Sequence, residues 1–190
     1  MLTRSQFINT YAPAAQRVYE KYGVFPQTVL TLAIVESQGK SNDGNYYPGL
    51  SANARLANNY FGIKAFNWNG PTIKLATKND KDKISTFRKY ASVSDSFEDF
   101  AKFLRTNDRY EDEGVFTAPD FLTQITRIAK AGYAENPRYL ELLKTVSSSV
   151  NNAIKQVKEI PKKPESWFIL LAIAGVLFYN FNKKKNGAKI

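Results

Sequence analysis

The sequence predicts a mainly helical α+β domain with two lobes, the smaller of which is a β-hairpin, followed by a C-terminal transmembrane helix. Three observations support this prediction. Apolar residues recur at helical spacing through most of residues 1–157. Two alternating, β-branched segments flank a polar turn near residue 80. A last apolar run, residues 167–181, is followed by a lysine cluster.

The helical lobe starts close to the N-terminus. Thr3-Arg4-Ser5-Gln6 has the pattern of a capping box, and apolar residues at helical spacing predict a first helix over about Ser5–Tyr22. Pro26 suits the first position of a second helix. We expect this second helix to run to about Gln38, with Gly39 as its C-terminal stop.

The smaller lobe follows the second helix. Residues 40–52 are rich in Gly, Asn, Tyr and Ser and are predicted to form a loop, and a short helix is expected over Ala54–Asn59. The segments Ile73–Thr77 and Ile84–Tyr90 flank the turn Asn79-Asp80-Lys81-Asp82, which predicts a hairpin. A groove between a helical lobe and a β-lobe suits an extended polymer.

Three further helices complete the predicted domain. Ser94 or Ser96 is expected to cap the first of them. Thr117-Ala118-Pro119 is expected to open the second. Asn136-Pro137 has the pattern of an N-cap followed by a proline in the first turn, and it predicts the start of a long last helix.

Composition narrows the chemistry. The 190 residues contain no histidine and no cysteine. Zinc sites with such ligands, Ser-His-Asp and Cys-His catalysis and disulfide scaffolds are therefore excluded, and we expect no metal or other cofactor. Hydrolysis of a glycosidic bond needs only carboxylates and hydroxyls. The formal charge of +10 suits a polyanionic partner, either nucleic acid or an anionic bacterial cell wall, and the sequence contains no nucleic-acid motif.

Glu36 is the strongest candidate for such chemistry. It ends an otherwise apolar helix and precedes Ser37, Gln38 and Gly39. A carboxyl group at such a point can be partly desolvated, which disfavours its charged form and suits a general acid. The alternative is an ordinary exposed glutamate near the end of a helix.

The C-terminal segment predicts attachment to a membrane. Residues 158–165 are a polar linker with two prolines, residues 166–182 the transmembrane helix and residues 183–190 a basic tail. The run of 15 residues, 167–181, reaches about 23 Å, so snorkelling lysines or local thinning must make up the difference from the roughly 30 Å of a bilayer core. A buried core helix or an oligomer contact is the alternative. The N-terminus lacks the pattern of a signal peptide.

Five segments, in order, give the chain a resemblance to glycoside hydrolase family 73, the lysozyme-like glucosaminidases that cut bacterial peptidoglycan. The resemblance covers most of residues 5–145. The segments are Ala33–Gly39, Asn58–Ala65, Trp68–Thr72, Phe87–Tyr90 with the positions that follow it to Tyr110, and Ala131–Tyr139. Each one alone is weak evidence, whereas five in the order and at about the spacing of the family form a strong signal.

The resemblance implies roles for individual residues. Glu36 matches the catalytic general acid, and Tyr133 matches a tyrosine beside the cleaved bond. The predicted substrate contacts lie within or beside the five segments and are Ser37, Phe61, Lys64, Trp68, Tyr90 and Tyr110. Core packing is the alternative role for Phe61 and for Tyr133.

The sequence departs from the family at the second acid. The family's acidic position in the hairpin falls on Asn79 here, and Asp80 and Asp82 are the nearest carboxylates. Asp80 is our candidate base or nucleophile. The alternatives are assistance by the N-acetyl group of the substrate, or that both aspartates are solvated turn residues.

The resemblance implies an endo-β-N-acetylglucosaminidase that cleaves a β-1,4 bond of peptidoglycan. A muramidase or a lytic transglycosylase on the same fold is one alternative, and a weakly active, membrane-anchored cell-wall-binding protein is another. A hydrolase with a terminal membrane segment and no signal peptide fits host penetration or lysis by a bacteriophage. The expected location is then a virion membrane or the host envelope, and the expected partners are peptidoglycan, lipid and viral structural proteins.

Overall fold

A computed structural model describes the backbone of residues 1–77 and 80–159 and the side chains of residues 1–76 and 83–156. Residues Met1–Val157 form one compact unit. The elements are α1 (Arg4–Tyr22), α2 (Pro26–Ser37), β1 (Gly39–Lys40), β2 (Tyr46–Tyr47), α3 (Ala52–Ala57), β3 (Thr72–Thr77), β4 (Asp80–Arg88), α4 (Val93–Arg105), α5 (Asp108–Asp112), a 3₁₀ turn (Val115–Thr117), α6 (Phe121–Lys130) and α7 (Tyr139–Glu159). The prediction of a mainly helical domain with a β-hairpin is confirmed.

The starts of α1 and α2 follow the sequence signals. The Thr3 hydroxyl accepts from the Gln6 amide at 3.2 Å, and the Gln6 side chain accepts from the Thr3 amide at 2.9 Å. These reciprocal bonds satisfy two amides that the helix itself leaves unpaired. Pro26 occupies the first turn of α2, where its missing N–H has no consequence.

The predicted role of Gly39 was wrong, and the predicted loop over residues 40–52 contains part of a short hairpin. The helix ends at Gln38 in an extended conformation, and Gly39 begins β1. Glycine is needed at this position because a Cβ atom would lie 2.9 Å from Cβ of Leu50. β1 pairs with β2 in an antiparallel ladder, so a second, very short hairpin directly follows the end of α2.

Helix starts in the second half of the chain also differ from prediction. Ser92, rather than Ser94 or Ser96, caps α4, because Asp95 completes a capping box with it. Asp120 caps α6, since its carboxylate accepts from the Thr123 amide at 2.8 Å. α7 begins at Tyr139, two residues after Pro137, and continues to Glu159. It therefore extends two residues into the predicted linker, whose first proline is Pro161.

The hairpin β3–β4 is present, with a different turn. The register runs from Thr72↔Arg88 to Ala76↔Ile84 and then shifts to Thr77↔Asp80. β4 therefore starts at Asp80 and not at Ile84. The predicted residue Asn79 lies outside the described residues, and the side chains of Asp80 and Asp82 also lie outside them.

The core surrounds α2. Leu30, Leu32 and Ile34 are fully buried, and they pack in one cluster with Phe97 and Phe100 of α4. A helix buried on every side is apolar all round, which explains the run that precedes Glu36. In the described part of the chain, no helix has the length and hydrophobicity to cross a membrane. The predicted transmembrane helix, 166–182, lies outside that part.

A polar network joins the β3–β4 hairpin to α4. The Arg88 guanidinium lies 2.7 Å from an Asp99 carboxylate oxygen, and the Tyr90 hydroxyl donates to the same oxygen at 2.6 Å. The Asn59 side chain donates to the carbonyls of Ile63 and Arg88, both at 2.9 Å. These bonds fix the base of the hairpin relative to the helical core.

Candidate active site

The site is centred on Glu36, in the last turn of α2. The helix is buried along its length, and Glu36 is half-buried where the helix leaves the core. The Tyr139 hydroxyl, at the first position of α7, donates to Glu36 Oε1 at 2.7 Å. Because Tyr139 is only 6% exposed, this bond is shielded from water and holds the carboxyl group in one orientation.

Tyr133 lies beside Tyr139 and forms a wall of the site. Its ring stacks on the Tyr139 ring with centroids 6.1 Å apart and planes at 17°. Its hydroxyl donates to the Phe61 carbonyl at 3.4 Å. The preceding residue, Gly132, has a left-handed φ of 79°. This conformation ends the helical path after α6 and turns the backbone toward Glu36.

Burial and the charge of Glu36 set the protonation of both tyrosines. Loss of solvation, followed by the proximity of the Glu36 carboxylate, raises the pKa of Tyr133 well above its usual value. The same two causes raise the pKa of Tyr139. Both rings therefore carry neutral hydroxyls at physiological pH, which can donate hydrogen bonds but cannot act as phenolate nucleophiles.

Tyr110 supports this wall from the interior. It is fully buried, and the Arg109 guanidinium donates to its hydroxyl at 2.7 Å and to the Gly132 carbonyl at 3.4 Å. The pair braces the turn that carries Tyr133. The predicted substrate contact of Tyr110 stays a prediction, and it would require the ring to leave this buried position.

Ser37 is also fully buried. Its hydroxyl accepts from the Gly49 amide at 2.9 Å, and its carbonyl accepts from the Ser51 amide at 2.8 Å. These bonds tie the segment after β2 to the end of α2, next to Glu36. The predicted contact of Ser37 with substrate stays a prediction, and in this structure its polar atoms hold the backbone.

Phe61 and Tyr90 face the protein interior as well. The Phe61 ring stacks on Phe100 with centroids 4.0 Å apart, although its carbonyl reaches Tyr133. Tyr90 is 6% exposed and hydrogen-bonded to Asp99. Their predicted substrate contacts stay predictions.

Lys64 and Trp68 are the more accessible of the predicted binding residues. Lys64 has an exposed side chain, and its backbone pairs with that of Phe87 in β4 through a single antiparallel β-bridge. The Trp68 ring is partly exposed and meets Tyr90 edge to face at 5.9 Å, and the Arg88 guanidinium lies 4.8 Å from its centroid. Both residues lie at the base of the β3–β4 hairpin, where they can contact a bound polymer.

Comparison with known proteins identifies the family. Residues 12–152 match the glucosaminidase family, described as mannosyl-glycoprotein endo-beta-N-acetylglucosaminidase. The match spans well over half of the chain. The chain belongs to the glucosaminidase family.

Curated relatives of this glucosaminidase domain include peptidoglycan hydrolase FlgJ of Vibrio parahaemolyticus, 30% identical over 153 residues that cover 77% of this chain and 47% of that protein. Exo-glucosaminidase LytG of Bacillus subtilis is 31% identical over 148 residues, which cover 74% of this chain and 49% of that protein. The chain thus spans about half the length of these two relatives.

Solved structures share the fold of the glucosaminidase domain. The glycoside hydrolase domain of Salmonella typhimurium FlgJ superposes with a TM-score of 0.63 at 25% identity, covering 83% of this chain and 94% of that one. The catalytic domain of the autolysin Auto from Listeria monocytogenes gives 0.61 at 27% identity, covering 80% of this chain and 88% of that one.

Sequence reasoning missed Tyr139 as a site residue of this glucosaminidase domain, because its helical spacing with Leu143 and Val146 is typical of a position that packs in the core. Two signals were available. It lies in the same motif as Tyr133, and a buried tyrosine hydroxyl needs a hydrogen-bond partner. The partner, Glu36, is 103 positions away in the chain, so only the fold reveals it.

Proposed function

We propose that this glucosaminidase domain hydrolyses a β-1,4 glycosidic bond in the glycan strand of bacterial peptidoglycan, as an endo-β-N-acetylglucosaminidase with Glu36 as general acid. The observation that carries the proposal is the 2.7 Å hydrogen bond from Tyr139 to Glu36, at a half-buried carboxyl group in a glucosaminidase fold. The relatives named as peptidoglycan hydrolases support the choice of substrate.

In the proposed reaction, protonated Glu36 donates its proton to the glycosidic oxygen as the bond from that oxygen to the anomeric carbon breaks. Positive charge then develops on the sugar ring. The neutral Tyr133 hydroxyl positions the sugar beside the carboxyl group. Water adds to the anomeric carbon, and the proton that it loses restores the acid form of the enzyme.

The group that stabilises the cationic sugar is proposed to be Asp80 or the 2-acetamido group of the substrate. Asp80 begins β4, and its backbone is paired with Thr77. A carboxylate base in an inverting enzyme lies about 6.5–9.5 Å from the acid, and a nucleophile in a retaining enzyme about 5–5.5 Å. A product of inverted configuration would indicate Asp80 as the base, whereas a retained configuration would indicate Asp80 as a nucleophile or assistance by the 2-acetamido group.

We also propose that residues 166–182 anchor the domain to a membrane and that the enzyme acts in host penetration or lysis by a bacteriophage. The apolar run, the flanking lysines and Trp167 near its start support the anchor. Co-sedimentation of the full chain with lipid vesicles, compared with a chain that ends at Glu159, tests this part of the proposal. Equal sedimentation of the two chains contradicts it.

Mass spectrometry of the fragments released from purified peptidoglycan tests the bond specificity. A reducing N-acetylglucosamine end is expected. A reducing N-acetylmuramic acid end would assign a muramidase, and an anhydro end would assign a lytic transglycosylase. Binding to the glycan without release of any fragment would contradict hydrolysis.

A further inference from the structure

A second concave surface lies between α6 and α7. It is a groove of about 770 Å³, and Glu36 and the two site tyrosines do not line it. Its lining includes Arg127 and Lys130 from α6, Lys144 from α7, and several hydroxyl side chains. Glu113 and Leu122 complete it, so the groove combines cations, hydroxyls, one carboxylate and one apolar side chain.

The charges in the groove are arranged for an anionic ligand. Arg127 is fixed by hydrogen bonds to the Gly114 carbonyl at 2.5 Å and to the Thr117 hydroxyl at 3.3 Å. Lys130 and Lys144 are exposed, and neither joins an ion pair with another described residue. Three cations thus face one carboxylate in a concave surface, which strengthens their attraction for carboxylates.

α7 contributes residues to both the groove and the candidate active site. Lys130 is the last residue of α6 and precedes Tyr133 by three positions. Lys144 follows Tyr139 by five positions in α7, a rise of about 7.5 Å along the helix. Each of the two lysines is therefore only a few positions in the chain from a site tyrosine.

We propose that this groove binds the acidic peptide that a cell-wall glycan strand carries, so that the enzyme recognises peptide-bearing strands. The inference rests on the proposed function. Lys130 and Lys144 pair with peptide carboxylates, Glu113 pairs with a peptide amine, and Leu122, which is 45% exposed, contacts alkyl side chains. A polymer of phosphates could pair with the lysines, but Glu113 would repel it and Leu122 would have no apolar group to contact.

Two measurements on the full chain test the proposal. The first is fluorescence anisotropy with a labelled acidic tetrapeptide that contains one free amine. The second is the rate on peptide-bearing strands divided by the rate on strands from which the peptides have been removed. The double variant Lys130→Glu/Lys144→Glu is expected to weaken peptide binding and to lower the rate ratio, each by about tenfold. Lys155→Glu, an exposed charge reversal on α7 outside the groove, is expected to match the wild type.

The outcomes separate the groove from the proposed function. If the wild type cleaves neither substrate but binds the peptide through the lysines, the proposed function fails and only the peptide-binding part of the groove proposal stands. Absence of peptide binding, or binding that the double variant leaves unchanged, overturns the groove proposal whether or not the strands are cleaved. Displacement of the labelled peptide by polyphosphate but not by unlabelled peptide also overturns it. The milder Lys130→Gln/Lys144→Gln variant gives the same comparison if the charge reversal impairs folding.

Discussion

The Tyr139 hydroxyl donates a 2.7 Å hydrogen bond to Oε1 of Glu36 and so joins the first residue of α7 to the last turn of α2. The two residues are 103 positions apart in the chain. Tyr133, which is partly buried, stacks on the buried Tyr139, so the orientation of the carboxyl group depends on both rings. Replacement of either ring should therefore affect the reaction through Glu36.

Tyr139→Phe is expected to lower kcat between about tenfold and a hundredfold and to leave KM nearly unchanged. Glu36 becomes a carboxylate as it gives up its proton, and a hydrogen bond to a charged group contributes roughly 1.5–3 kcal/mol. Loss of the bond also frees the carboxyl group to adopt unproductive orientations. Steady-state rates on soluble glycan fragments provide the measurement. Tyr19→Phe, an exposed ring on α1, is the control. A variant with wild-type kcat would contradict the assigned role of Tyr139.

Asp99→Asn is expected to lower the free energy of unfolding by about 3 kcal/mol, because it leaves the partly buried Arg88 without its ionic partner. Urea unfolding measures the loss. Lys102→Gln is the matched control: it removes one charge from the exposed pair with Glu98 and should cost less than about 1 kcal/mol. Equal losses in the two variants would show that the Arg88–Asp99 pair does not stabilise the hairpin junction.

Gly49→Ala and Gly44→Ala form a second matched pair. Both glycines have left-handed φ angles, 79° and 84°, so each alanine should cost about 1 kcal/mol of backbone strain. At Gly49 the added Cβ would also lie 2.5 Å from the Tyr60 hydroxyl, whereas at Gly44 it meets nothing within 4 Å. Gly49→Ala should therefore be the less stable variant by at least about 1 kcal/mol in thermal or urea unfolding. If Gly44→Ala were the less stable variant, the close packing of Gly49 against the Tyr60 hydroxyl would be contradicted.

Glu98 gives a pH-dependent contribution to stability. Hydrogen bonds from Lys21 and Tyr22 lower its pKa to about 2, below the usual value for glutamate. A lowered pKa in the folded state means that the contribution is present above about pH 4.5 and is lost as the pH falls toward about 2. Because the carboxylate is 40% exposed, the contribution is on the order of 1 kcal/mol or less.

Glu98→Gln should therefore unfold at lower urea concentration than the wild type at neutral pH, and the difference should shrink steadily below about pH 4.5. The measurement is the urea midpoint at several pH values. Glu20→Gln, an exposed glutamate hydrogen-bonded only to the neutral Gln16 side chain among the described residues, should show little difference at any pH. A Glu98→Gln difference that is independent of pH would rule out the ion-pair explanation.

Much of the fold is predictable because its signals are local. The capping box at Thr3 and the proline at the start of α2 depend on residues a few positions apart, and both appear as expected. The starts of α4 and α6 were misplaced because several Ser, Thr and Asp residues near each start can act as the N-cap. Which residue caps the helix depends on the residue three positions later and on the packing of the helix. The β1–β2 hairpin was missed because strands of two residues carry no periodicity.

The site was predictable in part, for the same physical reason. Glu36 and Tyr133 stand in motifs that can be found along the chain, and the fold brings them to one place. The partnership of Glu36 with Tyr139 depends on tertiary packing alone. Tyr110 and Ser37 belong to the same motifs but are fully buried. Spacing along the chain could not distinguish such buried positions from positions that face the substrate.

The most direct test of the account is a peptidoglycan zymogram of the wild type against Glu36→Gln, with Glu20→Gln as the matched control. Glutamine keeps the size of the side chain and can still accept the Tyr139 hydrogen bond, but it cannot donate an acidic proton. General acid catalysis contributes about 10²–10⁴-fold, so clearing by Glu36→Gln should fall at least about a hundredfold while Glu20→Gln clears like the wild type. Undiminished clearing by folded Glu36→Gln would contradict the assignment of Glu36 as the acid.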